Sequence, residues 1–119
     1  VARRSNGLAI FRARLADNLQ AVLALRLLMR SDSTGLVPAV EALLATSSVR
    51  EMIRDPSKVN ELLKYMETAG ADLGMHSFDQ YLYKLAEAKK IGIETALANA
   101  TKRADLERQL MIEAGGRSA

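Results

Sequence analysis

The sequence predicts an α+β fold that is mostly helical and holds one β-hairpin. Three observations predict it. Apolar residues recur at helical spacing over most of the chain, two short apolar runs flank a Ser-Asp-Ser-Thr-Gly turn, and helix-capping patterns recur after residue 46. At 119 residues the chain can bury roughly two-thirds of its unfolded surface without staples. It has no Cys, which excludes disulfides and thiolate metal sites and fits a reducing compartment. With two Phe, three Tyr and no Trp, the core has to be aliphatic.

The first element is an amphipathic helix. Leu8, Phe11, Leu15, Leu19, Val22 and Leu23 follow a helical period, with Arg12, Arg14, Asp17, Asn18 and Gln20 on other faces. That pattern favours a folded helix over a signal or transit peptide. Residues 25–29 then read as a short strand, residues 31–35 as a turn and residues 36–45 as a second strand, so the pair is a hairpin. Pro38 removes a ladder donor and belongs at an edge or a bulge. An isolated hairpin is marginal, so this one should complete a larger sheet.

From Thr46 onward the punctuation is helical. Ser48 with Glu51 fits a capping box opening a helix over residues 48–55, in which Val49, Met52 and Ile53 share one face and Arg50 and Arg54 another. Asp55-Pro56 opens the next helix, whose stripe is Val59, Leu62, Leu63 and Met66 and whose stop is Gly70. After a loop at residues 71–75, Ser77 with Gln80 forms a second box ahead of Phe78, Tyr81, Leu82, Leu85 and Ala86. Gly92 breaks that helix, helices follow at residues 93–100 and 104–113, and residues 114–119 form a flexible tail.

Chemistry is sparse. The formal charge of +3 divides unevenly: six Arg against Asp17 give residues 1–30 a charge of +5 and leave −2 for the rest, the pattern of a solvated helix face beside an acidic neighbour. No run approaches the ~18 apolar residues of a membrane span, so no membrane insertion is expected. There is no Gly-Lys pair from which a phosphate-cradling loop could be built. His76 is the one histidine, lacks neighbouring ligands, and reads as a surface or capping residue rather than a metal ligand or a base for a serine nucleophile. Residues 85–97 have a helix-glycine-helix outline suggestive of a DNA reader. But Glu87 stands where that motif buries an apolar side chain, and the second helix opens with Glu94 and has no Arg or Lys before Lys102, so nucleic acid is not the expected partner.

Several segments in order carry a more specific signal: Leu15-Ala16-Asp17-Asn18-Leu19-Gln20-Ala21-Val22, Arg26-Leu27-Leu28, Val37-Pro38-Ala39-Val40-Glu41, the helix at residues 48–55, and Gly74-Met75-His76-Ser77-Phe78-Asp79-Gln80. Over residues 8–112 the chain resembles the C-terminal region of type IV pilus retraction ATPases, twitching-motility motors of the PilT/PilU kind within the secretion ATPase superfamily. In that family the segment at residues 48–55 usually reads Ala-Ile-Arg-Asn-Leu-Ile-Arg-Glu and is implicated in retraction. Arg50, Ile53 and Arg54 agree with it, Val49, Met52 and Asp55 depart conservatively, and Ser48 and Glu51 differ more. The family's glycine-methionine loop continues with Gln-Thr, where this chain has His76-Ser77.

The resemblance implies that residues 1–45 end a RecA-like ATPase core, contributing its packing helix and edge hairpin, and that residues 46–113 form a C-terminal helical domain. It implies a retraction or partner interface at Val49, Arg50, Glu51, Ile53, Arg54 and Asp55, and a family loop at Gly74, Met75, Phe78, Asp79 and Gln80. The implied partners are the chain's own subunits in a homohexameric ring and the inner-membrane platform or pilus base, with the protein cytoplasmic and peripheral to that membrane. The family's phosphate-binding lysine loop, acidic metal-binding strand and histidine box lie upstream of the matching region. The implied chain therefore holds no catalytic, cofactor-binding or metal-binding residue; ATP and Mg belong to the parent motor, and this chain alone should be inactive. Val1 in place of Met agrees with a fragment or a processed product. On the residues alone, Arg50 and Arg54 could instead be an exposed face paired within their helix to Glu51 or Asp55. The alternative functions are a free-standing helix-turn-helix-like DNA-binding domain and an adaptor protein.

Overall fold

Asn18 ends the first helix by turning its side chain back, Nδ2 donating to the Arg14 carbonyl at 2.7 Å. In the computed structural model, which describes residues 2–117, that helix is α1 (Ala2–Asn18). The side chains of Arg3 and Arg4, and residues 118 and 119 of the tail expected at residues 114–119, lie outside what is described. Beyond Asn18 the chain becomes extended as β1 (Ala21–Met29) and returns as β2 (Leu36–Leu44), the two pairing in one sheet. Val22 and Leu23, expected in the helix, therefore lie in a strand. Their spacing suits either element, and pairing with β2 decides between them.

Hydrogen bonds from Arg30 N to the Gly35 carbonyl (2.9 Å) and from Ala45 N to the Gln20 carbonyl (3.0 Å) fit a single antiparallel register. In that register Pro38 stands opposite Leu27 at a non-hydrogen-bonded pair, so its missing N–H falls on the outer edge, where it costs no ladder bond. Leu23, Leu25, Leu27 and Met29 share one strand face and are all more than half exposed.

After β2 come α2 (Ser47–Arg54), a 3-10 segment (Pro56–Glu61), α3 (Leu62–Glu67), a second 3-10 segment (Ala69–Leu73), α4 (Phe78–Glu87), α5 (Ile93–Asn99) and α6 (Arg103–Arg117). The class is α+β and mostly helical. The chain divides into two units, Val1–Leu23 with Ala42–His76 and Ala24–Glu41 with Ser77–Ala119.

In the first unit, Leu43, Val49, Met66 and Met75 form a small core against which Ile53, Leu62 and Tyr65 pack. The N-cap of α2 is Thr46, not Ser48: Thr46 is extended and its hydroxyl accepts from Val49 N at 3.3 Å. Ser48 is thus already inside the helix, and the expected Ser48/Glu51 box does not form. Asp55 caps the 3-10 segment that follows, with Pro56 in its first turn. Gly70 is not the helix stop. The helix ends at Glu67, and Thr68 folds its hydroxyl onto the Lys64 carbonyl at 2.7 Å. Gly70 is buried, and the position takes glycine because a Cβ there would meet Met75 Sδ at 2.9 Å; the glycine that turns the chain here is Gly74, at φ +90°.

The second unit has a broader core, with Leu28 and Ala39 of the hairpin meeting Phe78, Leu82, Leu85, Ile91, Ala96, Leu97, Leu106 and Leu110. Ser77 caps α4 through the full reciprocal box, accepting from Gln80 N (3.2 Å) while its own N–H donates to Gln80 Oε1 (3.1 Å). At the other end Lys90 N reaches the Leu85 carbonyl and Lys89 N the Ala86 carbonyl, a Schellman closure with Lys89 left-handed at φ +59°. Gly92 caps α5. The last helix runs past the expected end at residue 113, through Gly115 and Gly116 to Arg117.

Candidate coupling site

The segment at residues 48–55 has two working sides. Val49, fully buried, and Ile53 belong to the core of the first unit. From the same helix Arg50 Nη1 donates to the Ala16 carbonyl, and Arg54 pairs with Asp17. Both guanidinium groups thus reach the last turn of α1, rather than Glu51 or Asp55 of their own helix. A helix C-terminus invites this, because its last carbonyls lack intrahelical donors and carry the negative end of the helix dipole. In α1, Leu19 N serves the Leu15 carbonyl at 2.9 Å, and Arg50 serves the next one.

Glu51 is exposed, and its carbonyl accepts from Asp55 N at 3.2 Å, ending α2. Asp55 faces the following turn: its carboxylate accepts from the Ser57 hydroxyl (2.7 Å) and Ser57 N (3.0 Å), which together hold its pKa below the usual range.

The glycine-methionine loop works as scaffold. In the first unit Gly74 supplies the left-handed turn, Met75 is 2% exposed in the core, and Met75 N donates to the Gly70 carbonyl at 3.0 Å. His76, expected at the surface, is half-buried and forms an antiparallel bridge with Ala42. In the second unit Phe78 N donates to Glu41 Oε1 at 3.3 Å, and the Arg26 guanidinium lies 4.4 Å from the Phe78 ring centre while its Nη1 holds the Asn99 carbonyl at 2.9 Å. Asp79 accepts from Thr101 N and Lys102 N, both at 2.8 Å, and Gln80 closes the capping box.

Ala16, Asp17, Arg26 and Glu41 are among the partners that the sequence does not single out as site residues. Asp17 carried one signal, as the lone acid among the first thirty residues. The helix-glycine-helix outline survives as α4 and α5. The residues of α5 include Glu94 in its first turn and no cation, a poor surface for phosphates. Among the described residues no helix is long and apolar enough to cross a membrane, and no group of three or more His, Asp or Glu could hold a metal ion.

No protein-family profile matches the chain. It is 38% identical over 104 residues to a type IV pilus ATPase PilU of Pseudomonas aeruginosa, a match covering 87% of this chain and 26% of that protein. It is 34% identical over 89 residues to a twitching motility protein of Neisseria gonorrhoeae, covering 75% of this chain and 23% of that protein. A crystal structure of the pilus retraction motor PilT with bound ADP superposes with a TM-score of 0.65 at 29% identity, over 84% of this chain and 26% of that one. The chain spans about a quarter of the length of the relatives it matches.

Proposed function

The chain belongs with the PilT/PilU-type ATPases of type IV pili, as a piece matching about a quarter of their length, and from that premise we propose that it is the C-terminal mechanical and interaction part of a hexameric retraction motor. Residues 1–45 complete the RecA-like core and residues 46–113 form the helical domain that passes nucleotide-driven motion to the pilus machinery. The nucleotide site, with its ATP and Mg, belongs to the rest of the motor. The partners in this reading are neighbouring subunits of the ring and the platform or base of the pilus, on the cytoplasmic side of the inner membrane.

The observation that carries the proposal is the double grip of Arg50 and Arg54 on the last turn of α1. These are the arginines of the segment implicated in retraction, and they bind the element assigned to the core. A coupling element has to hold such a place. The exposed apolar strand face at Leu23, Leu25, Leu27 and Met29 also supports the reading, since a larger sheet or its packing layer would cover it. In a motor carrying this segment, Arg50→Ala with Arg54→Ala should abolish twitching and leave most ATP hydrolysis in place. Normal twitching by that double variant would overturn the proposal.

A further inference from the structure

The two arginine contacts on α1 differ in kind. Ala16 has no exposed surface, and Arg50 reaches its carbonyl from a half-buried position. A buried carbonyl left without a donor is costly, so that bond has no cheap open alternative. Arg54 and Asp17 are both solvent-accessible, at 47% and 58% side-chain exposure. Either of them can exchange its partner for water, for salt or for another charged group with little loss.

Resting on the reading of residues 48–55 as a coupling element, we infer that α2 is hinged on α1 by a pivot and a latch. The Arg50 bond to the Ala16 carbonyl is the pivot and stays closed, while the Arg54–Asp17 ion pair is the latch. Asp17 is the positioning residue of the latch, and a carboxylate on a partner is the chemistry that would open it by competing for Arg54. Opening leaves α2 held at Arg50 and at the Val49 core contact, so Arg54 is free to engage the partner without the first unit coming apart.

Amide exchange followed by NMR on the 119-residue chain tests this, with Leu19 N, which donates to the Leu15 carbonyl in the last turn of α1, as reporter and the interior amides of α4 as internal standard. Salt at about 0.5 M and the variant Asp17→Asn should each speed Leu19 exchange about two- to fivefold relative to that standard, and salt should add nothing in the variant. Arg50→Gln should speed it more, by about tenfold, with the Arg54–Asp17 salt response retained. The exchanged pair Asp17→Arg with Arg54→Asp should bring the rate back to that of the native chain, which removal of a merely structural side chain would not do. A native rate in Asp17→Asn, failure of the exchanged pair to restore protection, or an unprotected Leu19 in the native chain would each overturn the latch. Loss of twitching in the double arginine variant alongside any of those results would leave the proposed function standing and remove only the latch.

Discussion

The two units hold themselves together by different means. In the second, an apolar interior gathers two strands and three helices, and α4 is closed at both ends, by a reciprocal capping box and by a Schellman turn. The first has a core of four buried residues, a cap of one 3.3 Å bond on α2, two 3-10 segments around a six-residue helix, and arginine ties to α1. Area removed from water dominates stability, so the second unit should be the last to open and the first should breathe. The proposed mechanical role would be served by that division: short helices and exchangeable ion pairs yield at small cost, whereas an interlocked apolar core does not.

The largest test of that contrast is Leu82→Ala. Leu82 is 1% exposed in the broad core, and the truncation should cost about 2–5 kcal/mol by denaturant unfolding. Protection lost in α4, α5 and α6 but kept in α2 and α3 would confirm that the units are energetically separate; uniform loss would join them. A paired test of intermediate size uses two backbone positions. Gly70→Ala should destabilise the first unit by about 1–3 kcal/mol, because the new Cβ would lie 2.9 Å from Met75 Sδ and 3.1 Å from the Tyr65 carbonyl. Lys89→Gly should stabilise the second unit by roughly 0.5–1 kcal/mol, because Lys89 occupies the left-handed position that glycine fills without strain. Thermal unfolding with exchange readouts in each unit checks both signs.

The smallest effect is a titration. The Thr34 hydroxyl (2.6 Å), then Thr34 N (3.0 Å) and the Arg30 guanidinium lower the pKa of Asp32 in the hairpin turn from 3.8 to about 2. A carboxyl depressed in the folded state contributes its full stabilisation above its unfolded pKa and loses it as pH falls through the folded value. The Thr34 amide shift should therefore hold down to pH 4 and change with a midpoint about 2. In Asp32→Asn that transition should vanish while the helices are unaffected.

Features set by neighbours in sequence were legible before the fold was known. The Ser77/Gln80 box, the Asp55-Pro56 junction and the hairpin turn each depend on residues within about one turn of each other, and each formed as read. Features set by distant partners were not. Val22 and Leu23 fit a helical stripe, and only pairing with β2 made them a strand. Gly70 looked like a helix stop, although its reason is the approach of Met75. At the candidate site the two arginines were legible as a face of α2, but their acceptors lie 34 and 37 positions away. No local rule links residues at that separation. Arg26, stacked on Phe78 and bonded to Asn99, was hidden for the same reason.

The hairpin turn has a consequence in time as well as in space. Ser31 N donates to the Lys90 carbonyl at 2.9 Å, and Ser31 Oγ to the Lys89 carbonyl at 2.6 Å, 58 positions along the chain. At a synthesis rate of 5–20 residues per second, the turn emerges roughly 3–12 s before its acceptors exist. Throughout that interval Leu25, Leu27, Met29 and Leu36 are an apolar ribbon without the helices that complete their unit. Until then the strand pair is an adhesive surface, and a holdase that covers this ribbon until residue 90 is made would guard an aggregation-prone stage of its folding.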